Sequence, residues 1–290
     1  MGWRVVVIEN SAKLDLRLGF LVVRNLETTT RIFIDEISVL IIESVQCSIT
    51  TALLAELVKQ KVEVIFCDKA KNPSSELLAY YGNYDTAIKI RKQIAWSEDI
   101  KKKAWEKIVK LKIQKQSEVI KDISPQRHAQ LLEYAEQVHD GDSSNREGHA
   151  AKVYFNTLFG LKFTRQQQTP INFALNYGYS VLLGIINREI VTNGYITQIG
   201  ISHDNMFNCF NLGSDLMEPF RPVIDREVKR VIPTKFESKE KQQILEIFNK
   251  EILIDNKNQT LINAISIYVR SVFQFLENEK DATIKDYDWV

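Results

Sequence analysis

Val62-Glu-Val-Ile-Phe-Cys-Asp-Lys-Ala-Lys-Asn-Pro73 is the place in the chain where one hydrophobic periodicity gives way to another. Val62 to Phe66 reads as a short β-strand. Asp68 to Pro73, polar and ending in proline, reads as the start of a linker. Upstream, short β-rich runs alternate with turns: Arg4 to Ile8, Lys13 to Leu18, Phe20 to Arg24, Arg31 to Ile34 and Val39 to Ile42. One helix, about Thr51 to Gln60, interrupts them, with Leu53, Leu54, Leu57 and Val58 at helical spacing and Thr50 or Thr51 as its N-cap. Downstream, from about Asp85, the spacing turns helical and stays so, predicting helices near 86–97, 98–121, 125–138, 144–159, 170–193, 215–230, 238–250 and 258–278. The expected fold is therefore α+β: a small N-terminal β domain over residues 1–70, a linker over 71–85 and a larger, mostly α-helical domain over 86–290. No fixed-period repeat or low-complexity tract points to a solenoid or a linker protein.

A chain of 290 residues that is 44% hydrophobic and 26% charged has the material for a packed core and no sign of disorder. Its longest apolar runs, such as Val39 to Ile42 and Val181 to Ile186, fall far short of the roughly 18 residues that a membrane span needs. With no signal-like start, a cytoplasmic protein is expected. Cys47, Cys67 and Cys209 are odd in number and widely spaced, which argues for buried thiols and against a disulfide framework or a cysteine zinc site. The net charge of +1 hides an asymmetry. Residues 91–130 carry eleven Lys or Arg against five Asp or Glu, and residues 131–219 carry five against nine. A basic stretch followed by an acid-rich one suits a protein that holds phosphates and binds divalent metal.

Two segments hold the candidate chemistry. In Asp142-Ser-Ser-Asn-Arg-Glu147-Gly-His-Ala-Ala-Lys, Ser144 and Glu147 have the spacing of a capping box, in which Glu147 would serve only the helix N-terminus. The alternative makes Glu147 a metal ligand, with the small Gly148, Ala150 and Ala151 allowing close approach. In the second segment, Ile201 to Pro222, Asp215 and Glu218 are three apart and on a helix would share one face, where a divalent cation relieves their repulsion. Ser214 is also a natural N-cap, and acids in a first turn are favoured by the helix dipole without any metal. His203 with carboxylates is a mixed ligand set suited to Mg²⁺ or Mn²⁺ with open positions for phosphate.

These residues also carry a family resemblance. Asn145-Arg-Glu-Gly-His-Ala-Ala-Lys-Val-Tyr-Phe155, Asn176-Tyr-Gly-Tyr-Ser-Val-Leu-Leu183, Gly200-Ile-Ser-His203 and Ser214-Asp-Leu-Met-Glu-Pro-Phe-Arg-Pro222 resemble the CRISPR-associated spacer-acquisition integrase, the DNA endonuclease of the adaptation step, most of all its type II members. The β domain followed by a helical domain agrees with that family's plan. The resemblance implies that Glu147, His203 and Glu218 bind a catalytic Mg²⁺ or Mn²⁺, and that Asp215 matches a further acidic position of the motif. Many members have Asp where Glu218 stands, a change that keeps the charge and lengthens the reach. It also implies insertion of captured double-stranded DNA into a CRISPR array by 3′-hydroxyl transesterification. The implied assembly is a homodimer, two of which flank the small ferredoxin-like second adaptation protein in a heterohexamer.

Other residues are read beside this frame. Arg221 is placed to orient a carboxylate or a phosphate. Asn176, Tyr177 and Tyr179 are expected in the core or behind the site. The run Lys101 to Lys115 has Trp105, Ile108, Val109 and Ile113 for one face and seven lysines largely on the rest. That is either a solvated helix face or, with Lys102, Lys103, Lys107 and Lys110, a salt-sensitive track for a DNA backbone. Two rival functions share these features: a metal-dependent nuclease or junction resolvase that uses water, and a non-catalytic DNA-binding scaffold that needs the lysines and not the triad. A coding region beside a repeat-spacer array would favour the integrase.

Overall fold

The computed structural model describes residues 2–80 and 82–289. Nine segments build the N-terminal part: β1 (Arg4–Ile8), β2 (Lys13–Arg17), β3 (Phe20–Arg24), β4 (Thr29–Phe33), β5 (Ile37–Ile42), β6 (Ser48–Ile49), α1 (Thr51–Lys59), β7 (Glu63–Cys67) and β8 (Pro73–Leu77). They form two four-stranded sheets, ordered β1-β5-β7-β8 and β4-β3-β2-β6. The β2–β3 hairpin turns on Leu18 and Gly19, both at positive φ (50° and 80°), the backbone that matches a two-residue turn to strand twist. Strands β1, β5 and β7 are parallel, and a parallel step between β5 and β7 needs a crossover, which α1 supplies.

Every residue of β5, Ile-Ser-Val-Leu-Ile-Ile, is buried, as a strand covered on both faces must be. One face, with Leu40 and Ile42, packs with Leu14, Leu21, Leu53 and Leu57 in the N-terminal core. The other, Val39 and Ile41, joins the main core of the helical region together with Ile65. The expected linker contains a strand: β8 lies within 71–85 and pairs antiparallel with β7. The Asp68 carboxylate accepts from the backbone N–H groups of Ala70 and Asn72 and closes the chain into a hairpin. Proline is tolerated because Pro73 is the first residue of a strand at the sheet edge.

The helical region comprises α2 (Thr86–Ile94), α3 (Glu98–Ile120), α4 (Pro125–Glu136), α5 (Arg146–Phe159), α6 (Pro170–Thr192), α7 (Asn211–Met217), α8 (Arg221–Val231), α9 (Ser238–Leu245) and α10 (Leu261–Leu276). The helix expected over 215–230 is two helices joined by a 3₁₀ turn at Glu218–Phe220. Pro219 and Pro222 each remove an amide donor and crowd the preceding turn, so one helix cannot run through. Between α9 and α10 lies a hairpin, β9 (Glu251–Ile254) and β10 (Lys257–Thr260), turning on Asp255 and Asn256 at positive φ; β11 (Tyr287–Trp289) adds to it. Helix α6 is buried nearly all round, and α3 packs against α4, α5, α8 and α10. Where α6 meets α8, a Cβ on Gly178 would lie 2.5 Å from the Ile224 side chain, so glycine sets the approach.

Among the described residues, no helix is long and apolar enough to cross a membrane. Of the three cysteines only Cys67 is buried, its thiol pushed up to about 12 by desolvation, whereas Cys209 is exposed in the loop before α7.

Candidate active site

Helix α5 begins on Asn145, held at φ 51°, whose side-chain oxygen accepts from the Gly148 N–H at 3.3 Å. The Asp142 carboxylate accepts from the next two amides, Arg146 N–H at 2.7 Å and Glu147 N–H at 3.0 Å. The first turn is thus capped by Asp142 and Asn145. Ser144 is not the N-cap, and Glu147 has no capping duty. Its carboxylate turns instead to α3, where it accepts from the Lys112 ammonium at 2.5 Å.

The same ammonium forms an ion pair with Glu218, presented by the 3₁₀ turn between α7 and α8. Glu218 is buried, and its other oxygen accepts from Arg221 Nε at 2.8 Å. Burial alone would raise the Glu218 carboxyl, but the charges of Lys112 and Arg221 outweigh it and hold it at about 2. Residues from three distant stretches of chain therefore converge on one point.

Asp215 faces elsewhere. It is wholly buried and both its oxygens are in use: Oδ2 accepts from the Ile201 and Ser202 amides at 2.5 and 3.1 Å, and Oδ1 from the His203 amide at 3.0 Å and the His203 ring Nδ1 at 2.6 Å. The shared helical face expected for Asp215 and Glu218 does not form, because α7 ends between them. With Nδ1–H donating to Asp215, the imidazole keeps its Nε2 lone pair for another partner. The ring stands edge-on to Trp105 at 5.8 Å. Its pKa is raised by the Asp215 hydrogen bond, with smaller electrostatic contributions from Glu218 and Glu147.

Beside Glu218 a cavity of about 130 Å³ is lined by Lys112, Gln116, Arg165, Tyr179, Arg221 and Asp225 among others. Tyr179, expected in the core or behind the site, is nearly buried; its hydroxyl donates to Asp225, and Arg165 and Arg221 lie over its ring at 5.2 and 4.6 Å. Burial raises the Asp225 carboxyl to about 6. The cavity thus carries three cations on its wall.

The remaining lysines separate into two groups. Lys102, Lys103 and Lys110 pair with Asp140, Asp99 and Glu106 on the outer side of α3, and Lys107 lies over the Phe275 ring at 5.5 Å. Lys112 and Lys115 are buried, contrary to a reading that puts the lysines on a solvated face. The signal was present: 105, 108, 112 and 115 follow one helical stripe, so a lysine at 112 continues the line of Trp105 and Ile108.

Among the described residues, no three His, Cys, Asp or Glu side chains form a ready metal cluster. The position between Glu147 and Glu218 is taken by the Lys112 ammonium. The donor set nonetheless fits a hard divalent cation: two carboxylates meet at one cationic point, and the His203 imidazole, held through Nδ1, leaves Nε2 uncommitted.

The fold and the sequence have close counterparts. A CRISPR-associated endonuclease Cas1 from Neisseria meningitidis serogroup C (strain 8013) is 33% identical over 97% of this chain and 94% of its own. A casposase bound to its integration product superposes with a TM-score of 0.78 at 18% identity, covering 96% of this chain and 92% of that one. A Cas6-RT-Cas1–Cas2 complex gives 0.74 at 16% identity, over 97% of this chain and 36% of the larger protein. The model of the family described as CRISPR associated protein Cas1 matches residues 5–265, and the chain belongs to that family.

Proposed function

We propose that this chain is a metal-dependent DNA endonuclease and integrase of CRISPR adaptation, which joins captured double-stranded fragments to a repeat array. One observation carries the reading: Glu147 and Glu218, from distant parts of a Cas1-family chain, meet on one ammonium beside a cation-walled cavity. Glu147, His203 and Glu218 are the proposed ligands of Mg²⁺ or Mn²⁺, which when bound supplies Lewis-acid polarisation of a phosphate and a lower pKa for an attacking hydroxyl. Asp215 acts through His203, holding its backbone and its tautomer. Arg165 and Arg221 face the place where a phosphate would sit, and Arg221 also holds the Glu218 carboxylate.

In the joining step the 3′-hydroxyl of a fragment attacks a phosphodiester of the array. One phosphorus–oxygen bond forms and one breaks, the hydroxyl loses its proton, and the departing 3′-oxygen gains one, so no external energy source is needed. The family relationship supports a homodimer that assembles with the small second adaptation protein in a heterohexamer. A casposase seen with its integration product and a Cas1–Cas2 assembly among similar structures agree with DNA and that protein as partners. Lys102, Lys103, Lys107 and Lys110 are proposed to follow the DNA backbone.

The test supplies the protein, its partner and Mg²⁺ or Mn²⁺ with an array-bearing plasmid and labelled fragments ending in a 3′-hydroxyl or a 3′-deoxy terminus. Label should enter the plasmid from the hydroxyl-ended fragment only, and not with His203→Ala. If the plasmid is cut by water and no label enters, the nuclease reading replaces the integrase.

A further inference from the structure

Lys112 continues the stripe of α3 that begins with the apolar Trp105 and Ile108, and its side chain is only 9% exposed. Its ammonium stands between Glu147 and Glu218, with the Glu147 contact at 2.5 Å. Together with Arg221, it offsets the two carboxylates. A divalent cation held by the same two carboxylates cannot share that place, since like charges at contact distance repel strongly where water is excluded. The lysine stem is flexible, and the cavity beside it already presents Arg165 and Arg221. Lys112, Arg165 and Arg221 against Glu218 and Asp225 leave the cavity wall one positive charge in excess, which suits a singly charged phosphodiester.

We propose that Lys112 is a resident counter-ion: a divalent cation entering between Glu147 and Glu218 displaces its ammonium, which turns into the adjacent cavity and takes a DNA phosphate as its new partner. The proposal rests on the reading of Glu147, His203 and Glu218 as ligands. Without DNA, the displaced ammonium gives up one buried and one part-buried carboxylate and regains only water, so the protein alone holds metal weakly. With a phosphate in the cavity, that loss is made good. Metal and DNA then tighten each other's binding, and the coupling is reciprocal. Direct contact between metal and phosphate couples the two ligands as well, so the mark of the counter-ion is the part of the coupling that disappears with Lys112.

The experiment titrates Mn²⁺ by electron paramagnetic resonance, with and without a duplex whose 3′-deoxy ends prevent joining. For the unmodified protein, the duplex should tighten Mn²⁺ binding by about tenfold or more, within the range typical of coupled sites. Lys112→Met should bind Mn²⁺ about tenfold tighter than the parent without DNA, and the duplex should tighten it clearly less than it tightens the parent. Lys112→Gln, with folding checked by near-ultraviolet circular dichroism, should behave likewise, so the outcome does not depend on one variant. No tightening by DNA in the unmodified protein overturns the proposal. So does Mn²⁺ binding to Lys112→Met that is equal to or weaker than the parent's, or full coupling retained in it. Glu147→Gln and Glu218→Gln separate the two levels. If they bind Mn²⁺ like the parent, the ligand reading itself fails; if they lose it while Lys112→Met resembles the parent, only the counter-ion fails.

Discussion

Replacing Asp215 with Asn tests whether this carboxylate holds the His203 loop or binds metal itself. The two oxygens of Asp215 accept four hydrogen bonds, three from backbone amides and one from the imidazole. An Asn offers one oxygen and one NH₂ group. Whichever way it is turned, two donors face a donor: either the Ile201 and Ser202 amides, or the His203 amide and ring. Each lost bond to a charged acceptor costs about 1.5–3 kcal/mol, so two cost roughly 3–6 kcal/mol before relaxation. The side chain of His203 is 42% exposed, so water satisfies part of the loss on that side. About 3 kcal/mol is then the expected cost, and at roughly 2–3 °C per kcal/mol in a chain of this size the melting temperature should fall by about 6–9 °C. Differential scanning calorimetry measures it, beside a Mn²⁺ titration. His203→Ala is the comparison: it keeps the three backbone bonds and loses only the ring bond, on the side that water reaches, so it should melt at most about 4 °C below the parent, less than Asp215→Asn, while Mn²⁺ binding weakens. If Asp215→Asn melts like the parent and loses Mn²⁺, Asp215 is a ligand and the positioning role is wrong.

Glu147→Gln should fold with a melting temperature near the parent's and have almost no joining activity, because Asp142 and Asn145 cap α5 without it; full activity in a plasmid-joining assay would remove Glu147 from the ligand set. Glu76, on β8, is raised by burial from 4.5 to about 7. A carboxyl raised on folding favours the folded state while protonated, and that stability is lost as pH climbs from about 4.5 to about 7. Glu76→Gln should therefore be more stable than the parent at pH 8, by at most about 3 kcal/mol, and nearly equal to it at pH 4.5; a constant difference in urea midpoints across that span would contradict this. Neutralising Lys102, Lys103, Lys107 and Lys110 together should leave the melting temperature almost unchanged, since exposed ion pairs contribute about 0–1 kcal/mol. The same change should flatten the salt dependence of DNA binding, and an unchanged slope would return the outer side of α3 to plain solvation.

Local chemistry made much of the fold legible. Short β-rich apolar runs marked β1, β3, β5 and β7, and Pro125 and Pro170 sit at the starts of α4 and α6 where their missing N–H costs nothing. Strand β8 escaped because Asn72-Pro73 reads as a break unless the pairing partner is known. The β9–β10 hairpin escaped because its strands are only four residues each and lie between two helical patterns.

At the site, residue types and spacing made Glu147, His203, Asp215 and Glu218 candidates beside plain capping and surface readings, and it was the family resemblance that implied Glu147, His203 and Glu218 as ligands. Their division of labour lay beyond the sequence. Asp215 and Glu218 are three residues apart on paper, yet the end of α7 sends one to the His203 loop and the other to Lys112. Ser144 had the right spacing to cap α5, but the Asp142 carboxylate and Asn145 reached the free amides instead. Lys112 was one lysine among seven until α3 packed against α5 and the Glu218 turn. A hydrogen bond or an ion pair depends on where two side chains meet, and for groups 35 or more residues apart that is decided by the packing of whole elements. Sequence determines which groups are available; tertiary structure decides where each helix ends and which opposite charge each group finds.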